Sequence, residues 1–385
     1  MIGWRSARVR VAVIVLAICG VSIPATAWAA GHQGGSNRAV ELTSPRTTPY
    51  FPPFTHVVII VREGHTFDDY LGDCAKTIQP GCNGRVHSKN HIKSVPELHK
   101  LAKTYALLDH YKTGTQPPSG PNHWWLFSAQ STSHSQQQSY PSAHGTVFDR
   151  FLKGPTGSFS FIMDGDFYRW LKPGSGYWRN PATKSVEVLP IDRSGTKIPE
   201  EINYNNYTCC HKSVKDQTIA NDYIKFVQAQ GLPNYSFVEL FNDHPGTYQN
   251  ISANDKATGQ IVSYLMSNPA YSSNTMIVVT EDDTQNGANG SDHVSNTYRV
   301  PLVVIGSPKY MKQHFISHEG YSMDNVLAAM ERVMENVHQG IISSTGSITP
   351  LTFPMTKADQ AAMSNPLEDL WIQPSQGKAT RRPPA

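Results

Sequence analysis

The sequence predicts an α/β fold, a mostly parallel sheet sandwiched by helices and interrupted by an irregular insertion or cap region. Three observations predict it: short β-branched apolar runs recur along the chain, stretches of helical period separate them, and polar residues cluster just after the runs. Runs at 56–62 (HVVIIVR), 235–241 (YSFVELF), 275–280 (TMIVVT) and 301–305 (PLVVI) read as strands. Three of them are almost continuously apolar, as expected where both faces of a sheet are covered. Between them, 216–228 puts Ile219, Tyr223, Phe226 and Val227 on one helical face, 255–266 ends in IVSYLM, and 323–336 repeats Met323, Val326, Leu327, Met330, Val333 and Met334.

Residues 132–215 break this rhythm. They are rich in Ser, Gly, Tyr, Asn and Pro, which suits loops with a few strands, such as SFSFIMDG. Their aromatic residues either line a substrate entrance or decorate a surface.

The ends of the chain read differently again. Residues 1–29 carry Arg5, Arg8 and Arg10, then an apolar stretch from Val11 to Ile23, then Ala27 and Ala29 at the spacing of a cleavage site. This is the pattern of a secretory signal peptide, and the apolar stretch is shorter than the roughly 20 residues a spanning helix needs. No twin-arginine pair occurs, which points to the general (Sec-type) export route. The expectation is a secreted or periplasmic protein with no stable membrane anchor after cleavage. Residues 30–53 then form a flexible leader, 54–370 the folded domain, and 371–385 a disordered tail.

Charge supports this division. Only 16% of residues are charged, against about 25% in an average soluble domain. The formal net charge of +3 equals the three leader arginines, so the remainder is neutral. Lys378, Arg381 and Arg382 then leave the body slightly acidic. Such a balance excludes a strongly basic nucleic-acid binder and an acidic disordered tail protein. Beyond Cys19 in the leader, four cysteines remain, an even number that suits an oxidising compartment. Cys74 and Cys82 bracket a turn-like stretch and could close a small loop, while Cys209 and Cys210 could bond to each other only in a strained ring. No paired CxxC spacing marks a zinc site.

The polar residues after the strands carry the chemistry. Glu63 follows the first run, Asp243 and His244 the second, Glu281, Asp282 and Asp283 the third, and SDHVSNTYR adds Asp292, His293 and Arg299. In open α/β sheets the ligand crevice lies outside the carboxyl ends of the strands. Several carboxylates aimed at one rim repel one another, and a divalent cation is the usual remedy. Oxygen donors favour Mg, Mn or Ca, and nearby imidazoles leave Zn or Fe open. In QPPSGPNHWWLFSAQ (116–130), Ser119 precedes an amphipathic stretch and is placed to open a helix, where free N–H groups attract an anion. Beside a metal such a serine becomes a usable nucleophile. No GxSxG elbow and no glycine-rich nucleotide loop is present, which argues against a hydrolase triad and a nucleotide-driven kinase.

Four segments in order carry a resemblance: REGHTFDDYLG (62–72), ALLDHYKTGTQPPSGPNHWWL (106–126), LPNYSFVELFNDHPG (232–246) and VVTEDDTQNGANGSDHVSNTYRVPLVVIGSP (278–308). Together they resemble the bacterial phosphoesterase family of the non-haemolytic phospholipase C and acid phosphatase type, itself similar to the alkaline phosphatase superfamily. The resemblance implies an alkaline phosphatase-like fold and hydrolysis of phosphate esters through a phosphoserine on Ser119. It implies Glu63, Ser119, Asp282 and Asp283 as metal ligands. By the same resemblance His244 and His293 match histidines that face the phosphoryl group or its leaving oxygen, and Asn122, Asp292 and His318 are expected to contact the substrate.

The implied substrate is a small phosphate ester or a phospholipid headgroup, with no nucleic acid, and the oligomeric state stays open. Two departures stand out. Gly64 occupies the place where relatives have Asn, leaving His65 or a water to compensate, and His123 follows Pro121 and Asn122 where relatives commonly have Arg. A phosphodiesterase of the phospholipase C type and an inactive exported binding protein are the alternative readings, whereas a sulfatase lacks its CxPSR-like context around Ser119.

Overall fold

The computed structural model describes residues 50–86, 92, 94–115, 119–129, 161–164, 215–245, 250–284, 292–294, 298–342 and 361–374. These fall within one compact unit, Thr48–Ala385. Residues 1–49, Cys209 and Cys210, most of the 132–215 region and residues 375–385 lie outside the described residues, whereas Phe51 of the expected leader and Trp371 of the expected tail are buried in the core.

A seven-stranded sheet forms the centre, in the order β4-β5-β1-β6-β7-β2-β8. Its strands are β1 (His56–Arg62), β2 (Ala106–Leu108), β4 (Phe161–Asp164), β5 (Tyr235–Glu239), β6 (Thr275–Glu281), β7 (Leu302–Ile305) and β8 (Phe315–Ser317). A separate two-stranded ribbon pairs β3 (Tyr111–Lys112) with β9 (Tyr321–Ser322). β4, β5, β1 and β6 run parallel, as do β2 and β8. β7 is antiparallel to both of its neighbours. The expected mostly parallel sheet is present, and all four strands read from the sequence lie in it. The strand expected within 158–165 is β4.

Alternation along each strand divides the core into two layers. Val57, Ile59 and Val61 of β1, Met276 and Val278 of β6, and Leu302 and Val304 of β7 share one apolar layer. This layer is covered by α4 (Ser119–Ser128) through Leu126 and by α7 (Met323–Ile342) through Val326, Leu327, Met330, Val333 and Met334. Val58, Ile60, Ile277, Val279, Val303 and Ile305 point into the other layer, with α1 (Phe67–Leu71), α3 (Pro96–Thr104), α5 (Asp216–Gln230) and α6 (Ile251–Ser267). Because both faces are dry, the central strands need no polar alternation, which is why they read as continuous apolar runs.

The elements that the sequence hides are short. β2 has three residues and is held only by its neighbours β7 and β8. α1 has five, yet its start is marked by a capping box, in which Thr66 Oγ1 accepts from Asp69 N and the Asp69 carboxylate accepts from Thr66 N. α6 begins four residues before the expected 255 because the Asn250 side chain caps it, accepting from Ala253 N. After α1, the short helix α2 (Cys74–Thr77) starts a loop closed by the disulfide Cys74–Cys82. Among the described residues no helix is long and apolar enough to cross a membrane.

Candidate active site

Three adjacent parallel strands end level with one another. β1 lies between β5 and β6, with Val61 opposite Glu239 and Arg62 opposite Glu281. The residues that follow therefore emerge side by side: Glu63 after β1, Asp282 and Asp283 after β6, and Asn242 to His244 shortly after β5. Asp282 N donates to Arg62 O at 3.0 Å and carries the pairing one step beyond the strands. Glu63, Asp282 and Asp283 are buried, and one oxygen from each lies within 4.8 Å of the others.

Ser119 opens α4 as expected. Its Oγ donates to Glu63 Oε1 at 2.7 Å and reaches Asp283 Oδ2 at 3.3 Å. The serine thus joins the carboxylates at the end of a ten-residue helix whose first N–H groups have no intrahelical partner.

Electrostatics make the cluster costly as it stands. Burial, then Asp282 and Asp283, holds the Glu63 carboxyl well above the usual carboxylate range, against the Ser119 hydrogen bond. Burial also raises Asp282, although His123 and Ser119 oppose the shift. Asp282 Oδ1 accepts from Gly64 N and Asp283 N, while Oδ2 is buried without a donor. Three buried oxygen donors, one of them orphaned, fit a hard divalent cation. Glu63, Asp282 and Asp283 could hold such an ion, with Ser119 Oγ beside them.

His244 stands at the edge of this cluster. Its Nε2 is 3.8 Å from Glu63 Oε1, and its buried Nδ1 has no hydrogen-bond partner among the described residues. The other four residues expected at the site have different partners. Asn122 closes the loop before Ser119, accepting from Thr115 N at 3.0 Å and donating to Thr115 O. Both oxygens of Asp292 accept from Arg299 Nε at 3.1 Å, which makes it the counter-charge of a buried guanidinium. His293 bonds through Nδ1 to Asp68 Oδ2 at 2.6 Å and through Nε2 to Asn83 Oδ1 at 3.0 Å. His318, well exposed, pairs through Nδ1 with Asp109.

Asp68, Asp292 and His293 form a second group with metal-like spacing. Asp68 there already receives Arg85 N, Arg299 Nη2, His293 N and His293 Nδ1. Arg299 fills the place a cation would take.

The two departures have physical explanations. Gly64 has φ of 80°, a left-handed backbone that glycine and asparagine adopt most readily. Its N–H still anchors Asp282. His65 does not replace the missing side chain, because its ring is engaged with Asp69 and Asp243 O. His123 is buried one turn after Ser119 and sits 3.0 Å from Glu239 Oε1. Burial opposes its charge, but Glu239, Asp282 and the Ser119 carbonyl push its pKa up to about 9.

Sequence reasoning gave no role to Glu239 or to the network behind Glu63. Asp243 Oδ1 accepts from Glu63 N and Asn254 Nδ2, and its Oδ2 from Tyr70. Arg62 donates to Asn254 and faces Asp243 and Glu281. The available signal was charge inside apolar strands, with Arg62, Glu239 and Glu281 each interrupting or ending one.

The Phosphoesterase family profile matches residues 85–336, well over half of the chain. The chain belongs to the Phosphoesterase family. It is a hydrolase acting on phosphoric ester bonds, and the segment around Glu63 precedes the matched region. No protein of curated function matches it. Among solved structures it is similar to Ps i-CgsB, at 14% identity and a TM-score of 0.50 over 81% of this chain and 77% of that one. A protein in the alkaline phosphatase superfamily from Vibrio parahaemolyticus matches at 13% identity and 0.46, over 74% and 68%. The phosphonate monoester hydrolase of Agrobacterium radiobacter matches at 15% and 0.45, over 72% and 73%. At its identity the likeness to Ps i-CgsB concerns the fold.

Proposed function

We propose that this phosphoesterase is an exported, metal-dependent enzyme that transfers the phosphoryl group of a small phosphate ester to Ser119 and then to water. The observation that carries the reading is the Ser119 hydroxyl held on Glu63 at 2.7 Å, at a helix N-terminus and among three buried carboxylates. A divalent cation bound by Glu63, Asp282 and Asp283 would balance their charge, ease deprotonation of the serine and offset charge on the phosphoryl oxygens.

The chain's own groups supply the rest. Glu63 and Asp283 orient Ser119 Oγ, and the first turn of α4 presents N–H groups to the phosphoryl oxygens. Ser119 Oγ passes its proton to the Glu63 carboxylate that accepts from it and attacks phosphorus in line as the ester P–O bond breaks, and the leaving alcohol takes a proton. His244, beside Glu63 with its Nδ1 unpartnered, is the histidine best placed to give it. Water then cleaves the phosphoserine. Asn122 is bonded to Thr115, Asp292 to Arg299, His293 to Asp68 and Asn83, and His318 to Asp109. Export is supported by the signal-peptide pattern of residues 1–29 and by a disulfide that suits an oxidising compartment.

The test measures bound metal and turnover of p-nitrophenyl phosphate, bis-p-nitrophenyl phosphate and phosphocholine. Metal-dependent turnover that Ser119→Ala abolishes, with the fold intact, is the expected result. A Ser119→Ala protein retaining most of its activity would remove Ser119 as the nucleophile.

A further inference from the structure

The first turn of α4 is tied down on two sides. Asn122 ties it to the incoming loop at Thr115. His123 ties it to the sheet, because its Nδ1 lies 2.9 Å from Ser119 O and its Nε2 lies 3.0 Å from Glu239 Oε1. Both partners of that pair are buried. Glu239 ends β5 directly opposite Val61 of β1, and Glu63 follows two residues later. A closed circuit results. It runs from Ser119 O through His123 and Glu239 to the paired ends of β5 and β1, and back through Glu63 Oε1 to Ser119 Oγ.

We infer that the buried His123–Glu239 pair is a positioning device for the nucleophile: it fixes where Ser119 Oγ stands relative to Glu63. The inference rests on the proposed role of Ser119. His123 does not touch substrate, and its effect passes through the Ser119 backbone. Any substituent at 123 that cannot span from Ser119 O to Glu239 lets the first turn shift against the sheet. A misplacement of about 1 Å at a reacting atom costs on the order of 10²-fold in rate. The carboxylates hang from β1 and β6 rather than from α4, so cation binding survives such a shift.

The test uses the full chain, Mn2+ alone as the probe for the carboxylates, and p-nitrophenyl phosphate for turnover. His123→Ala is expected to lower kcat by about 10²-fold, while Mn2+ affinity and stoichiometry stay within a few-fold of the parent protein. Removing one partner of a buried pair threatens folding, so His123→Gln, Glu239→Gln and their combination complete the set. The combined variant replaces the charged pair by two neutral amides and is expected to recover at least tenfold of the kcat that His123→Gln loses. Unchanged kcat in His123→Ala overturns the inference. So does a combined variant no faster than His123→Gln, or a loss of Mn2+ binding that parallels the loss of turnover. An active Ser119→Ala protein instead overturns the nucleophile assignment, and the two failures are thereby distinguished.

Discussion

Replacing Asp282 with Asn separates the stability of the carboxylate cluster from its use. Asn keeps the oxygen that accepts from Gly64 N and Asp283 N, and it places an amide where Asp282 Oδ2 is buried without a donor. Two unit charges 4.8 Å apart repel by about 3–4 kcal/mol at an effective dielectric of roughly 20. Asp282 faces Glu63, Asp283 and Glu239 with like charge, and His123 with opposite charge. Partial protonation already relieves some of that repulsion. The net relief in the metal-free protein is then about 2 kcal/mol, or roughly 3 °C in Tm for a domain of about 320 residues.

The assay is thermal melting in chelator and in saturating Mn2+, alongside turnover. Asp282→Asn is expected to melt higher than the parent in chelator, to gain little from Mn2+, and to lose at least about 10²-fold in kcat/KM. Acidity supplies a second readout. Glu63 and Asp282 have folded pKa values above their unfolded ones, so the folded state binds more protons than the unfolded chain. Their contribution is complete below the unfolded values and is lost as pH rises through the folded ones. The metal-free parent should therefore lose Tm as pH rises above the ordinary carboxylate range, and Asp282→Asn should lose less. A parent protein indifferent to Mn2+, together with a variant less stable than the parent in chelator, would refute the charge argument.

Three further outcomes are expected. Arg299→Met strands the buried carboxylates of Asp68 and Asp292 and should cost about 3–5 kcal/mol in urea melts; a cost under about 1 kcal/mol would mean that the network is slack. Replacing Cys74 and Cys82 together with Ser opens a loop with a sequence separation of 8. Loop-closure entropy puts the cost at about 2.5 kcal/mol, and dithiothreitol should lower the parent's Tm to the same level. At position 64, where φ is 80°, Gly64→Ala should destabilise by about 1–2 kcal/mol and Gly64→Asn by less. Equal melts for the two would show that the left-handed backbone is not what restricts this position.

The sequence by itself determined the layers and the rim. Continuous apolar runs at β1, β6 and β7 can be satisfied only by a sheet covered on both faces, and helical stripes such as Met323 to Met334 supply the cover. Acids placed after parallel strands must then share one edge, so Glu63, Asp282 and Asp283 were legible as a group before any coordinates. Ser119 was legible too, because a helix start can be read locally.

Only the tertiary structure decided which polar residues spend their side chains elsewhere. Asp292 reads as an active-site acid until Arg299 claims it, and Asn122 as a phosphate contact until Thr115 does. His293 likewise belongs to Asp68 and Asn83. His123 gained its place through Glu239, a strand residue more than 100 positions away. A side chain's partner depends on contacts between distant segments, whereas periodicity and capping depend on neighbours along the chain. The local terms reveal where chemistry is gathered, and the long-range ones settle which groups are left free to perform it.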